Sequence, residues 1–134
     1  MKVLRLILGD QLNSQHSWFS NIDQNIIYVL MEIRQETDYV RHHIQKILIF
    51  FAAMRQFAQE LQNQGHRVHY VTISNPENTH SLVKNLENLI LLYVRHKNEE
   101  IKSNFRRIYR IVRNELCHMK WVSYGIDIKG LISN

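Results

Sequence analysis

Residues 31–71 constrain the fold more than any other part of the chain, because their apolar, polar and turn-forming residues agree on one strand, helix and strand. Apolar residues recur three or four positions apart from residue 40 to residue 61, which is the spacing of one buried helix face. Thr37 or Asp38 is suited to cap the start of this helix, and Gly65 is suited to end it. The pattern predicts a long helix of about 26 residues, roughly 39 Å.

Three apolar runs predict buried strands, at residues 3–8, 26–33 and 68–73. They are almost continuous rather than alternating, which is typical of a parallel sheet covered on both faces. A further helix is expected after the third run, opened by Asn75 and Pro76. Its predicted buried face consists of Leu82, Leu86, Leu89 and Ile90. The order predicts an open, doubly wound, Rossmann-like α/β sheet with strand order 3-2-1 or 2-1-3.

The composition indicates one soluble globular domain. The chain has 134 residues, of which 45% are hydrophobic and 22% charged, and no apolar run approaches the roughly 18 residues of a membrane span. Acidic Asp10 directly follows the first apolar run, which argues against a signal peptide. Cys117 is the only cysteine, so the chain alone forms no internal disulfide and no multi-cysteine metal cluster. We therefore expect a reducing, cytoplasmic setting.

The balance of basic and acidic residues changes near Leu92. Residues 1–91 hold 8 basic and 8 acidic residues, whereas residues 92–134 hold 9 and 4, which accounts for the net charge of +5. We therefore predict a domain over residues 1–92 and a basic, partly helical tail over residues 93–134. A basic amphipathic helix is expected at residues 98–116, and it could contact nucleic acid or anionic lipid, although a solvated face is the commoner outcome.

Polar side chains gather where the first two predicted strands end. Parallel neighbouring strands bring their carboxyl ends to one edge, where open α/β sheets bind ligands. Carboxylates, an amide and a phenol there suit a neutral, hydroxyl-rich aromatic ligand better than a phosphate, and Gly9 belongs to no glycine-rich phosphate loop. The alternative is that these residues only cap helices and contact solvent. The candidates at this edge are Gly9, Asp10, Gln11, Glu32, Glu36 and Tyr39.

Other polar residues are weaker candidates. His42 and His43 point to different helix faces without a third ligand at a suitable spacing, so no metal site is predicted. His66 and His69 are expected to be partly buried structural residues on one side of the third strand. Arg55 is expected at the surface, with a role in holding the sheet or a neighbouring domain as the alternative. No catalytic residue is predicted.

The stretches LRLILGDQLN and VLMEIRQETDYVRHHIQKILIFFAAMRQFAQELQNQGHRVHYV resemble the N-terminal α/β domain of photolyase-related proteins, the bacterial branch that carries an iron–sulfur cluster. The resemblance covers about residues 3–92. It implies an antenna chromophore of the ribityllumazine type in this domain. Carried over by motif, the residues implied in the pocket are Gly9, Asp10, Gln11, Leu12, Glu32, Glu36 and Tyr39, with Lys46 as a further neighbour.

The same resemblance implies a DNA-repair or light-sensing flavoprotein whose helical C-terminal domain holds FAD and a 4Fe–4S cluster. That part has no counterpart here, and the likeness is lost beyond Leu92, which suggests a truncated or frame-shifted gene product. The expected consequence is that the chain has no lyase activity alone. Two other functions stay open: a free-standing nucleotide-type binding module, and a nucleic-acid-binding protein that uses the basic tail.

Overall fold

A four-stranded sheet forms the centre of the molecule. The computed structural model describes residues 3–34, 43–94 and 126–127. The strands are β1 (Val3–Leu6), β2 (Ile26–Met31), β3 (Arg67–Val71) and β4 (Ile126–Asp127), in the spatial order β3-β2-β1-β4. The first three strands are parallel, which confirms the predicted α/β sheet, and of the two predicted strand orders the structure has 3-2-1. The tail supplies β4, which the sequence did not predict and which pairs antiparallel with β1.

The crossover from β2 to β3 contains the long helix, which begins later than predicted. Helix α1 covers Ile44–Asn63, 20 residues in all. Its N-cap is His43, whose Nδ1 accepts a hydrogen bond from the Gln45 N–H at 3.3 Å. The prediction of a cap at Thr37 or Asp38 is therefore wrong for this helix, and those two residues lie outside the described part of the chain.

Helix α1 ends at the position predicted from Gly65. The His66 N–H donates to the Leu61 carbonyl at 3.0 Å and the Gly65 N–H to the Gln62 carbonyl at 2.9 Å, which is the Schellman pairing. Gly65 has φ +96°, a conformation that a side chain disfavours. The helix therefore stops there and the chain turns into β3.

Helix α2 (Leu82–Val94) also begins later than predicted. Asn75 and Pro76 do not open it, because residues 72–81 consist of turns and irregular backbone. The predicted buried face is confirmed, since all four of its members are buried: Leu82, Leu86, Leu89 and Ile90. The predicted helix at residues 98–116 lies outside the described residues.

Alternating residues of the sheet face two separate cores. Along β2, Ile27 and Val29 pack in the cluster that contains the buried face of α2, whereas Tyr28 and Leu30 pack in the cluster that contains α1 residues such as Met54. The two helices thus cover opposite faces of the sheet, as expected for a doubly wound arrangement. A single 3₁₀ turn, Ser17–Phe19, closes the α1 side between β1 and β2. No helix within the described ranges is long and apolar enough to cross a bilayer.

Helix α1 is longer than the strands that it covers. Its 20 residues span about 30 Å at 1.5 Å per residue, whereas the six residues of β2 span about 20 Å. Phe50 and Met54 already lie against Gly9, beyond the end of β1. Residues 44–49 precede them at the start of the helix, where Ile47 is half-buried and packs against the core. We call this part the α1 overhang, and it leaves three apolar side chains exposed: Ile44 (62%), Leu48 (60%) and Ile49 (70%).

Candidate ligand-binding site

The carboxyl ends of β1, β2 and β3 form one edge of the sheet, here called the carboxyl edge. Residues 9–12 follow β1, and Glu32 directly follows β2. Because β1 and β2 are parallel neighbours, with Leu6 opposite Val29, both segments leave the sheet at this edge. The structure thus brings together five of the predicted site residues: Gly9, Asp10, Gln11, Leu12 and Glu32.

Glu32 is fully buried and makes four hydrogen bonds through its carboxylate. Oε1 accepts from Arg55 Nε at 2.5 Å and from the Tyr70 hydroxyl at 2.7 Å. Oε2 accepts from Arg55 Nη2 and from the Ile73 N–H, each at 2.8 Å. A carboxylate offers about four lone-pair positions, so Glu32 is saturated by the protein itself. Its part in ligand binding would therefore be to position its neighbours rather than to contact the ligand.

The hydrogen bonds and the positive charge around Glu32 favour the ionised form of its carboxylate. Burial alone raises the pKa of Glu32, but the hydrogen bonds from Arg55, Ile73 and Tyr70 outweigh it and bring the pKa below the ordinary value of 4.5. The bond to Glu32 raises the pKa of Arg55, and burial together with Glu32 raises the pKa of Tyr70. The network therefore holds one negative and one positive charge at neutral pH. The guanidinium reaches it from solvent, since the Arg55 side chain is 55% exposed.

A second network fixes the backbone beside Glu32. Asn78 is buried, and its Nδ2 donates to the Glu32 carbonyl at 2.7 Å and to the Thr72 carbonyl at 2.9 Å. Its Oδ1 accepts from Asn85 Nδ2 at 2.8 Å. The turn after β3 and the start of α2 are thus joined to the end of β2. Both networks hold the carboxyl edge in one arrangement.

Gly9 is buried at the end of β1, beneath α1. A side-chain carbon added to it would lie 2.8 Å from Phe50 Cε1 and 2.9 Å from Met54 Sδ, and closer still to Phe50 Cζ. Real contacts of this kind are not so short, so any larger residue at position 9 would require the Phe50 ring and the Met54 thioether to shift. Gly9 thus leaves room for these two side chains, and its role in ligand binding remains a prediction.

The remaining predicted site residues differ in accessibility. Asp10 is exposed, and Gln11 and Leu12 are half-buried. Gln11 Oε1 accepts from the Leu8 N–H at 3.2 Å, which folds the segment back on the end of β1. Lys46 is exposed on the α1 overhang. Glu36 and Tyr39 lie outside the described residues, so their role remains a prediction.

The partners of Glu32 were not predicted from the sequence. Arg55, Tyr70 and Asn78 lie 23, 38 and 46 positions away from it along the chain. Arg55 is exposed, as expected, and it also holds the sheet, which was the alternative prediction. The only signal available in the sequence was an acidic residue at the end of an apolar strand, which needs a buried cation or several donors.

We expect the free energy of unfolding to fall in two stages as the pH is lowered. Burial, partly offset by Glu77, brings the pKa of His69 below 6.5, so stability decreases once the pH drops below about 6.5 and the unfolded chain takes up this proton. The pKa of Glu32 is below 4.5, so a second decrease begins below about 4.5 and ends as the pH passes the folded-state pKa.

Urea unfolding between about pH 7.5 and about pH 3.5 measures both stages. His69→Gln should remove the upper stage and Glu32→Gln the lower one. An unchanged profile in either variant would assign that stage to other groups.

Within residues 3–34, 43–94 and 126–127, no group of three His, Cys, Asp or Glu side chains is placed to hold a metal ion. The groups at or near the carboxyl edge are the exposed carboxylate of Asp10, the half-buried amide of Gln11, the exposed amine of Lys46 and the apolar side chains of the α1 overhang. This donor set fits a small organic ligand with hydroxyl and ring groups.

Sequence similarity to known proteins identifies the family of this chain. A (6-4) photolyase of Agrobacterium fabrum (strain C58 / ATCC 33970) is 41% identical over 92 residues, which are 67% of this chain and 18% of the relative. The chain thus corresponds to less than a fifth of that relative's length. The family described as deoxyribodipyrimidine photo-lyase-related protein matches residues 5–110, well past Leu92 and into the basic tail. The match covers most of the sequence, and the chain therefore belongs to the deoxyribodipyrimidine photo-lyase-related protein family.

Proposed function

We propose that this chain binds a ribityllumazine-type antenna chromophore at the carboxyl edge, as the α/β domain of a photolyase-related protein. The observation that carries the proposal is the position of residues 9–12 beside Glu32, at the edge where parallel α/β sheets bind ligands. The family match supports the same assignment.

The chemistry of the edge suits a neutral ring with a polyol chain. The exposed Asp10 carboxylate can accept hydrogen bonds from hydroxyl groups, and Lys46 can donate to ring carbonyls. Apolar side chains of the α1 overhang can cover a ring. Glu36 and Tyr39, which the sequence places on the adjoining segment, complete the proposed set.

An antenna needs a fixed orientation rather than acid–base chemistry, because it passes excitation energy to a second chromophore. The saturated Glu32 network and the Asn78 network supply such rigidity, since each ties elements on different sides of the edge together. We propose no catalytic residue in the described part of the chain.

The activity of a whole photolyase-related protein is a further step of the proposal. The relative from Agrobacterium fabrum is named a (6-4) photolyase, and light-driven DNA repair or blue-light sensing would need FAD, a 4Fe–4S cluster and DNA contacts. The resemblance assigns all three to a C-terminal domain. We therefore assign only antenna binding to this chain.

Fluorescence titration of the 134-residue chain with a ribityllumazine tests the proposal. We expect saturable binding of one ligand per chain, with competition by unlabelled ribityllumazine and none by AMP. Preferential binding of AMP would favour the nucleotide-type module instead. Absence of saturable ribityllumazine binding would refute the antenna function, and salt-dependent binding of a DNA duplex by the same preparation would then support the nucleic-acid alternative.

A further inference from the structure

The order of the strands reverses at β1. The chain passes from β1 to β2 and on to β3 in one direction, and it then places β4 on the opposite side of β1. In open α/β sheets a ligand binds outside the carboxyl ends of the strands, at the point where the strand order reverses. The end of β1, which lies between β2 and β4, is therefore at the centre of the proposed ligand site.

Strand β4 lies beside the last two residues of β1. Its first residue, Ile126, is opposite Leu6, the last residue of β1, and Asp127 is opposite Arg5. Because the two strands are antiparallel, the chain enters β4 at the carboxyl edge. The tail thus joins the sheet beside the point at which the chain leaves β1 toward residues 9–12.

The backbone of β1 is divided between its two neighbours. The N–H groups of Val3 and Ile7 donate toward β2, to the carbonyls of Asn25 at 2.8 Å and Val29 at 2.9 Å. Successive residues of a strand direct their backbone groups to opposite sides, so Leu6 directs its N–H toward β4. Within the described ranges, β4 is the element that pairs with β1 on the side away from β2. Without β4, the end of β1 would be attached to the sheet on one side only.

The register of β4 places an acidic residue opposite a buried cation. Arg5 is 8% exposed, its guanidinium carbon lies 4.7 Å from the centre of the Trp18 ring, and its Nη1 donates to the Tyr28 hydroxyl at 3.4 Å. Burying a charge is unfavourable unless an opposite charge lies close to it. Opposite charges directly across an antiparallel pair stabilise the pairing. Asp127 occupies that register position, and a shift of one residue would remove it.

We propose that β4 is a positioning element of the ligand site. Paired with β1 in the register that sets Asp127 against Arg5, it fixes the end of β1 from the side opposite β2 and so holds residues 9–12 in the arrangement that binds the ligand. The inference rests on the proposed antenna function and gives part of the basic tail a role in it. The tail then belongs to the ligand-binding unit, whereas the change in charge near Leu92 predicted a separate segment.

Two substitutions in β4 should weaken ribityllumazine binding. Ile126→Pro removes the N–H of the residue opposite Leu6, and proline cannot donate to a sheet. If the end of β1 then keeps its binding arrangement in about one molecule in ten, the apparent Kd rises about tenfold. Asp127→Lys sets like charges opposite each other and should act in the same direction. Ile126→Val and Asp127→Glu keep the strand and the charge and should restore wild-type affinity.

Two controls separate positioning from general loss of stability. Ser133→Pro introduces proline into the same tail outside β4, and its affinity should equal that of the wild type. Leu61→Val reduces packing at the far end of α1, where Leu61 is fully buried, and should lower the melting temperature without changing the affinity. Fluorescence titration well below the melting temperature of every variant gives the affinities. Hydrogen exchange of the Leu6 amide reports the pairing of β4 directly.

The outcomes distinguish this inference from the antenna proposal. Weaker binding together with faster Leu6 exchange in Ile126→Pro and Asp127→Lys, but not in Ile126→Val or Asp127→Glu, supports the inference. Faster Leu6 exchange with unchanged affinity overturns it and leaves antenna binding standing. A wild type that binds no ribityllumazine overturns both. If Ile126→Pro does not fold, the comparison of Asp127→Lys with Asp127→Glu decides in the same way.

Discussion

Glu32→Ala should lower the free energy of unfolding by about 3 kcal/mol. The substitution removes the acceptor of two half-buried donors, the Tyr70 hydroxyl and the Ile73 N–H, and each unsatisfied donor costs about 1–3 kcal/mol. The Arg55 side chain is 55% exposed, so its charge returns to water and adds little to the loss. Urea unfolding measures the change, and the melting temperature should fall by about 10 °C.

Two further variants divide this effect between the carboxylate and the arginine. Glu32→Gln keeps the shape and one acceptor oxygen and should cost less than Glu32→Ala. Arg55→Ala should cost about 1 kcal/mol, because it leaves the Tyr70 and Ile73 bonds in place. A larger loss in Arg55→Ala than in Glu32→Ala would mean that the ion pair, rather than the buried hydrogen bonds, stabilises this edge.

Glu36→Ala should weaken ribityllumazine binding by about tenfold to a hundredfold. Glu36 follows β2 in the sequence, and the resemblance implies that it lies against the polar edge or the ribityl chain of the proposed ligand. Its carboxylate could there accept two hydrogen bonds from hydroxyls. Charge-assisted bonds contribute roughly 1.5–3 kcal/mol each, and about 1.4 kcal/mol corresponds to a tenfold change in Kd. Fluorescence titration of both proteins gives the ratio.

The matched control for Glu36→Ala is Glu60→Ala, which removes an exposed carboxylate from the far half of α1. Its affinity should equal that of the wild type. Thermal melts should show little change in either variant. Equal affinity of Glu36→Ala and wild type would remove Glu36 from the site, and a large fall in melting temperature would make it a structural residue.

The strands could be predicted, and their order narrowed to two alternatives, because burial in a parallel sheet produces nearly continuous apolar runs in the sequence. Continuous apolar runs gave all three parallel strands, and the helical spacing gave both buried helix faces. The helix starts were wrong for a physical reason. Thr37, Asp38 and Asn75 are better caps by composition than His43, but a cap forms only where the chain enters the helix, and tertiary packing decides that position.

The internal partners of the site could not be predicted, because they depend on register. Leu30 opposes Tyr70 across β2 and β3, which puts Tyr70 near Glu32 on the α1 side of the sheet. The prediction that His66 and His69 share one side was wrong. His66 packs against Tyr28 beside the α1 core, whereas His69 faces Tyr93 of α2.

The family and the fold were recognised from the sequence because the resemblance covers about residues 3–92, and the family match confirms that resemblance. The antenna and its contact residues stay a proposal. Glu32 illustrates the difference between a motif match and a shown contact. The motif predicted the correct edge of the sheet for Glu32, but the structure shows that its carboxylate already accepts four hydrogen bonds from the protein.

The exposed residues of the α1 overhang can be substituted with little effect on the stability of this domain. Ile44, Leu48 and Ile49 are mostly exposed, so replacing them removes little buried surface and changes folding free energy only slightly. The same residues border the carboxyl edge, where they alter what a ligand or neighbouring domain touches. Substitutions at these three positions can therefore change recognition while Leu61 and the rest of the covered half of α1 keep the sheet intact.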